Sequence, residues 1–190
     1  IVRESLARER HVAAHCHGTD GIRQAAAAGV RTVEHCSWVG DTGWGRALDE
    51  NVVKMLADNK VWVSPTINAG WRRFRKPEFV DMVRENYRRM KAAGVKLIAS
   101  TDAGIPNVFH HDLPKALPEF ARFADLTSRE TLVSATSDCA DAIGLGSVTG
   151  KIETGYSADF VVYETNPLED LSVLEHPQLV VVQGREQYTT

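Results

Sequence analysis

Cysteine is scarce in this chain of 190 residues: three, an odd number and too few to build a disulfide framework. The expectation is a reduced, cytoplasmic protein. Long apolar runs are missing as well. No stretch approaches the roughly 20 residues that a membrane-spanning helix needs. Arg3, Glu4, Arg8, Glu9 and Arg10 interrupt any apolar segment of the signal-peptide kind. Nor is charge of one sign in excess, because 22 basic against 25 acidic residues leave a net −3. That balance draws neither nucleic acid nor an anionic membrane surface. Internal repeats and low-complexity tracts are absent. What remains, 43% hydrophobic and 25% charged residues, is the composition of a folded chain rather than a disordered one. Its length suits one domain, or one domain with a small appendix.

Periodicity divides the first two-thirds into similar units. His11–Cys16 reads as a short strand, and Thr19–Ala28 as an alanine-rich helix stopped by Gly29. Thr32–Cys36 is a second strand, followed by a helix over Asp49–Asn59 with Val52, Val53 and Leu56 on one side. Val61–Thr66 is a third strand. Pro77–Ala93 is a long amphipathic helix, with Phe79, Met82, Val83, Tyr87 and Met90 facing inward and Gly94 ending it. Lys96–Thr101 reads as a fourth strand and Leu113–Ala124 as the helix after it. Strands alternating with helices at this spacing demand right-handed crossovers and a parallel sheet, so the class is α/β. Thr127 caps a further helix through Ile143, for which Leu132, Val133, Ala135, Cys139 and Ala142 are the expected core. Beyond Gly144 the texture changes to short strands, Val148–Ile152, Asp159–Tyr163 and Leu179–Gln183, with a turn at Asn166-Pro167. Three or four such strands cannot bury both faces alone. The opening, IVRESLARERHVAAH, reads as the last turns of a helix entering a strand, so the expectation is the later part of a longer protein.

Chemistry-bearing residues sit where the strands end. The first exit holds His15-Cys16-His17, the second Glu34-His35-Cys36, the third Thr66 and the fourth Asp102. In parallel α/β folds these carboxyl ends share the ligand-binding face. Alternation along a strand points His15 and His17 one way and Cys16 the other. If the exits converge, His15, His35 and Asp102 meet around one point, and two imidazoles with a carboxylate suit zinc or another borderline divalent ion. The competing reading of each histidine is an ordinary core or loop residue. Cys16 and Cys36 read as small buried apolar residues, since the compact ligand spacing of zinc fingers is absent. His110 and His111 are either substrate contacts or part of a plain surface loop. Trp71–Lys76, basic and aromatic, is a lid, a clamp for a substrate carboxylate, or a solvated loop. His11 and His176 read as structural, and Glu34 as either an ion-pair partner or a catalytic aid.

Three segments carry a family resemblance. VAAHCHGTDGIRQAAAAGVRTVEHC resembles the fifth-to-sixth strand segment of metal-dependent amidohydrolases, in the imidazolonepropionase-like and prolidase-like branch. IASTDAG resembles the eighth-strand aspartate motif of that family. LTSRETLVSATSDCADAIGLGSVTGKIETGYSADFVVYETNPLEDL, the most specific of the three, resembles its C-terminal segment, which completes a small β-sandwich. The resemblance implies a (β/α)8 TIM barrel of which residues 1–145 supply the last four β/α units, while residues 146–190 supply strands of the sandwich. It implies hydrolysis of C–N bonds in small amides, dipeptides or cyclic amides, with one or two divalent ions: zinc first, manganese or iron as alternatives. On this basis His15 is the fifth-strand ligand, His35 the sixth-strand ligand, and Asp102 the eighth-strand ligand and proton shuttle. The metal pattern does not place His17, which is read as a candidate substrate contact, and His110 keeps that same candidacy from its loop position alone. Deaminase-like relatives carry a glutamate three residues after the fifth-strand histidine; Gly18 stands there, which argues against a deaminase. The family's first-strand His-x-His pair has no counterpart in these residues. The alternative to an active enzyme is therefore an inactive half-barrel, or a non-catalytic partner that associates with the missing half or with its own copy.

Overall fold

A computed structural model describes the backbone of residues 1–189 and the side chains up to Gln187. Two compact units are formed. One comprises Ile1–Thr66, Arg72–Ile98 and Phe123–Asp125, and the other Ile67–Trp71, Ala99–Arg122 and the residues from Leu126 onward.

The first unit is α/β. After a short helix α1 (Val2–Leu6), β1 (Ala13–Gly18) leads directly into α2 (Thr19–Ala28). Gly29, at φ 73°, closes α2 in the left-handed conformation that a helix-ending glycine adopts without a Cβ penalty. Next come β2 (Thr32–Val39), α3 (Glu50–Asp58), β3 (Trp62–Ser64) and α4 (Pro77–Ala92). Asp49 caps α3 by accepting from the backbone N–H groups of Asn51 and Val52. The strands pair in parallel in the order β1-β2-β3. Their core is apolar and closed: Ile22 from α2, Val33 from β2, Val52, Val53 and Leu56 from α3 and Val63 from β3 are fully buried. Each such side chain contributes about 1.5–3 kcal/mol relative to exposure. Val83, Tyr87 and Met90 line the buried face of α4 as expected; Asn86 joins them, donating to the Gly45 carbonyl at 2.8 Å.

The expected fourth strand, Lys96–Thr101, is reduced to a parallel bridge between Val63 and Leu97, with Val63 N–H donating to Lys96 and Ile98 N–H to Val63. The ladder stops there because the next donor position on that side, two residues past Val63, is Pro65, which has no N–H to give. The Ala99 amide, on the opposite side, donates to the carbonyl of Ser134.

The second unit holds α5 (Leu113–Ala124) up to Arg122, and then a helical pair where one helix was expected. α6 (Ser128–Ala135) opens with a reciprocal capping box between Thr127 and Glu130. At Thr136 the chain departs to φ −123°, ψ −93°, and α7 (Ser137–Ala142) follows. The Thr136 hydroxyl donates back to the Leu132 carbonyl at 2.6 Å, a side-chain bond of the kind that bends helices. The break re-phases the buried face. Thr131, Ser134, Ala140 and Ala142 are buried, whereas Val133, expected in the core, is exposed.

Val148–Ile152 is a turn rather than a strand, since the amides of Val148 and Thr149 both return to the Leu145 carbonyl. β4 (Phe160–Val162) and β5 (Leu179–Val182) pair antiparallel, and β5 continues through a two-residue turn into β6 (Arg185–Thr189), which periodicity did not reveal. Gln183 and Gly184, at φ 51° and 73°, supply the positive-φ pair that such tight hairpin turns need. Asn166 Oδ1 accepts from the Leu168 amide at 3.0 Å, forming the expected Asn-Pro turn. No helix among the described residues is long and apolar enough to cross a membrane.

Candidate metal centre

Along β1 exposure alternates, so His15 and His17 share the open side while Cys16 lies half-buried on the other. In register, Cys16 is the partner of His35. A regular pleat would therefore put His35 on the Cys16 side, away from the other two histidines. β2 is not regular at that point. It advances from His35 to Val39 while β1 advances only from Cys16 to Gly18, and His35, Cys36 and Trp38 take φ values of 66°, 49° and 51°. This bulge re-aims the side chains, as strand bulges beside functional sites do. The His35 ring comes within 4.5 Å of His15 and 4.4 Å of His17, centroid to centroid, with His15 and His17 4.8 Å apart. Cys36 is sent the other way, into the core. There burial, reinforced by the nearby Cys16, pushes its thiol far above the ordinary value.

One nitrogen from each of His15, His17 and His35 lies within 4.8 Å of the others, a grouping able to hold a metal ion. Two ligands of one ion stand at most about twice a bond of ~2.1 Å apart, so small side-chain rotations would close the set. Imidazole donors suit zinc, iron, nickel and copper alike. Two of the rings are held by hydroxyls. His17 Nδ1 lies 3.0 Å from Ser37 Oγ, and His35 Nδ1 lies 2.7 Å from Thr66 Oγ1. The Thr66 hydroxyl also donates to the Pro65 carbonyl at 2.8 Å. Sequence reading marked Thr66 as a strand exit without a role and passed over Ser37. The signal for both was position alone, a hydroxyl at or just beyond a strand end in the histidine series.

Thr66 has φ 56°. For a β-branched residue that is a true outlier, costing on the order of 1–3 kcal/mol, and such strain gathers at functional sites. Beneath the site, the Trp38 indole donates to the Met90 sulfur at 3.3 Å, and Gly45 N–H donates to the Ser37 carbonyl, fastening the loop after β2.

Asp102 and His110 belong to the second unit. Asp102 is exposed and also left-handed, at φ 60°. His110 starts a 3-10 turn, His110–Asp112, and is exposed. Asp112, by contrast, is buried, and its carboxyl is held below the ordinary range by Lys115 and by the Phe109 amide. Glu34 accepts from the Thr32 hydroxyl at 2.6 Å.

A sequence model of the amidohydrolase family matches residues 1–186. The chain belongs to this family. Among curated relatives, the ochratoxinase of Aspergillus niger is 26% identical over 187 residues, which are 95% of this chain and 38% of that protein. A candidate prolidase from Bifidobacterium longum has a solved structure that superposes with a TM-score of 0.84 at 28% identity, covering 99% of this chain and 49% of its own. A prolidase solved with N-methylphosphonate-L-proline superposes with a TM-score of 0.76 at 26% identity, over 100% of this chain and 48% of its own. The chain thus spans about half the length of these solved relatives. Amidohydrolases typically depend on a metal, and the three clustered imidazoles are residues that fit one.

Proposed function

We propose that this chain carries the metal-binding, later half of a hydrolase that cleaves C–N bonds in small amides, dipeptides or cyclic amides. The observation that carries this reading is the convergence of His15 and His17 of β1 with His35 of the neighbouring parallel strand β2, in an amidohydrolase. One relative, a prolidase solved with N-methylphosphonate-L-proline, favours compact N-acyl or dipeptide substrates over long peptides. In this reading residues 1–145 are four β/α units of a (β/α)8 barrel, and residues 146–190 are strands of a β-sandwich.

His15 and His35 would hold a divalent ion, zinc or alternatively manganese or iron, and Asp102 would be its carboxylate ligand. When bound, the ion would acidify a water and polarise the scissile carbonyl. Asp102 accepts the proton of the attacking water and delivers it to the leaving nitrogen, serving as base and then as acid. His17, beside both other rings, is either a substrate contact or a third imidazole donor, and His110 is a substrate contact. Ser37 and Thr66 hold two of the rings in orientation. A second reading rests on the coverage of relatives: this polypeptide acts only when joined by a complementary half.

Metal analysis after gel filtration separates the two readings. Near-stoichiometric zinc, manganese or iron on a monodisperse chain supports the enzyme, while metal-free aggregates support the dependent half. In the complete protein, Asp102→Asn should slow turnover of an Xaa-Pro or N-acyl amino acid panel by about 10²–10⁴-fold, with circular dichroism unchanged. Near-normal turnover would remove Asp102 from the mechanism.

A further inference from the structure

We infer that Thr66 is a positioning residue that sets the tautomer of His35, presenting the Nε2 lone pair to the metal. A hydroxyl has one proton to give. Thr66 gives it to the Pro65 carbonyl at 2.8 Å, so at 2.7 Å from His35 Nδ1 its oxygen is the acceptor. A neutral His35 must then carry its proton on Nδ1, and its lone pair on Nε2. The carbonyl, hydroxyl and imidazole form a chain with one direction, because a backbone carbonyl cannot donate. The companion contact differs. Ser37 lies 3.0 Å from His17 Nδ1, without a comparable carbonyl assignment to fix which partner donates.

The backbone marks the same two residues. Thr66 keeps a left-handed φ of 56°, which its branched Cβ disfavours, and His35 keeps one of 66°. Both ends of the hydrogen bond are thus held in uncommon conformations, a pattern that points from strain toward function. The arrangement is the hydroxyl counterpart of the acceptor that orients a metal-binding histidine, and it rests on the metal-centre reading above.

The test uses the full chain free of metal, at a pH above the imidazole range. Long-range ¹H–¹⁵N spectra report the His35 tautomer, its signals assigned by their loss in His35→Gln. The wild type and Thr66→Ser should show Nδ1–H. Thr66→Val, which keeps the shape and loses the hydroxyl, should shift His35 toward Nε2–H. Zinc titration by calorimetry should then weaken by about 10–100-fold in Thr66→Val, with recovery in Thr66→Ser. A wild type in the Nε2–H form overturns the inference even if the valine variant does not fold. So does a folded Thr66→Val with unchanged tautomer and zinc affinity. A chain whose His35 tautomer follows Thr66 but which takes up no zinc supports the positioning role and defeats the metal-centre reading.

Discussion

The parallel sheet β1–β3 and the antiparallel sheet β4–β6 are held by different means. In the first unit, Val33, Val52, Val53, Leu56 and Val63 are all at 0% exposure, so helix and strand share one dry core. In the second, Val161, Val162 and Val182 stand 41–45% exposed. Polar ties and close backbone approach do more there. Asp159 accepts from the Gln183 amide and from the Thr149 hydroxyl, both at 2.7 Å, joining the segment before β4 to the β5–β6 turn and to the turn after α7. Gly150, at φ 89°, sits where an added Cβ would meet the Ala140 Cβ at 2.8 Å and the Thr136 carbonyl at 3.0 Å. Where helices cover a sheet, burial defines the register. Where they do not, specific hydrogen bonds and glycine must.

The sharpest way to break that contrast is to open each kind of contact in turn. Leu56→Ala should destabilise the first unit by about 2–5 kcal/mol, read as a fall in the urea midpoint of the far-ultraviolet signal. A loss well under 1 kcal/mol would mean that the core is not close-packed. Gly150→Ala should come next, at about 1–3 kcal/mol, because the new methyl group meets backbone and Ala140 rather than a yielding side chain. A neutral Gly150→Ala would show that the second unit tolerates looser backbone packing than its contacts suggest.

A pH series sharpens the comparison further. The Gln183 amide, then the Thr149 and Ser157 hydroxyls, hold the Asp159 carboxyl below its ordinary value. A depressed carboxyl contributes stability that is present above its unfolded pKa and lost as pH falls through its folded one. Acidification below about pH 4 should therefore lower the thermal midpoint of the wild type by more than that of Asp159→Asn. Parallel acid profiles for the two proteins would remove Asp159 from the account. The smallest effect belongs to Val161→Ala, expected within about 0.5 kcal/mol because the side chain is already in contact with solvent. A cost like that of Leu56→Ala would show that this face is covered in solution.

Much of the architecture was readable from residue order. α2 was located to the residue, α5 near its observed bounds, and α3 and α4 to within one residue at each end, because periodicity, an Asp cap and stopping glycines all act locally. The misses share a cause. Lys96–Thr101 has a strand's composition, but its ladder ends where the neighbouring segment reaches Pro65, which has no N–H to continue it. The helix expected from Thr127 to Ile143 divides because the Thr136 hydroxyl competes for a helical carbonyl, a contest that propensity leaves undecided. β6 went unseen because REQYT lacks an apolar alternation, while the Gln183-Gly184 turn before it is set by backbone geometry.

The candidate site divides along the same line. Local order alone determined that histidines fall in two β-forming segments, each followed by a helix, and that His15 and His17 face one way, since alternation is a property of the strand itself. Only the tertiary structure decided that His35 joins them. Its pairing with Cys16 would have turned it away, and the left-handed bulge in β2 reverses that direction. The hydroxyl of Thr66, thirty-one positions further along, reaches the ring only because β2 and β3 are neighbours in the sheet. Strand periodicity is written residue by residue; a bulge and a cross-strand hydrogen bond exist only once two distant segments have been laid side by side.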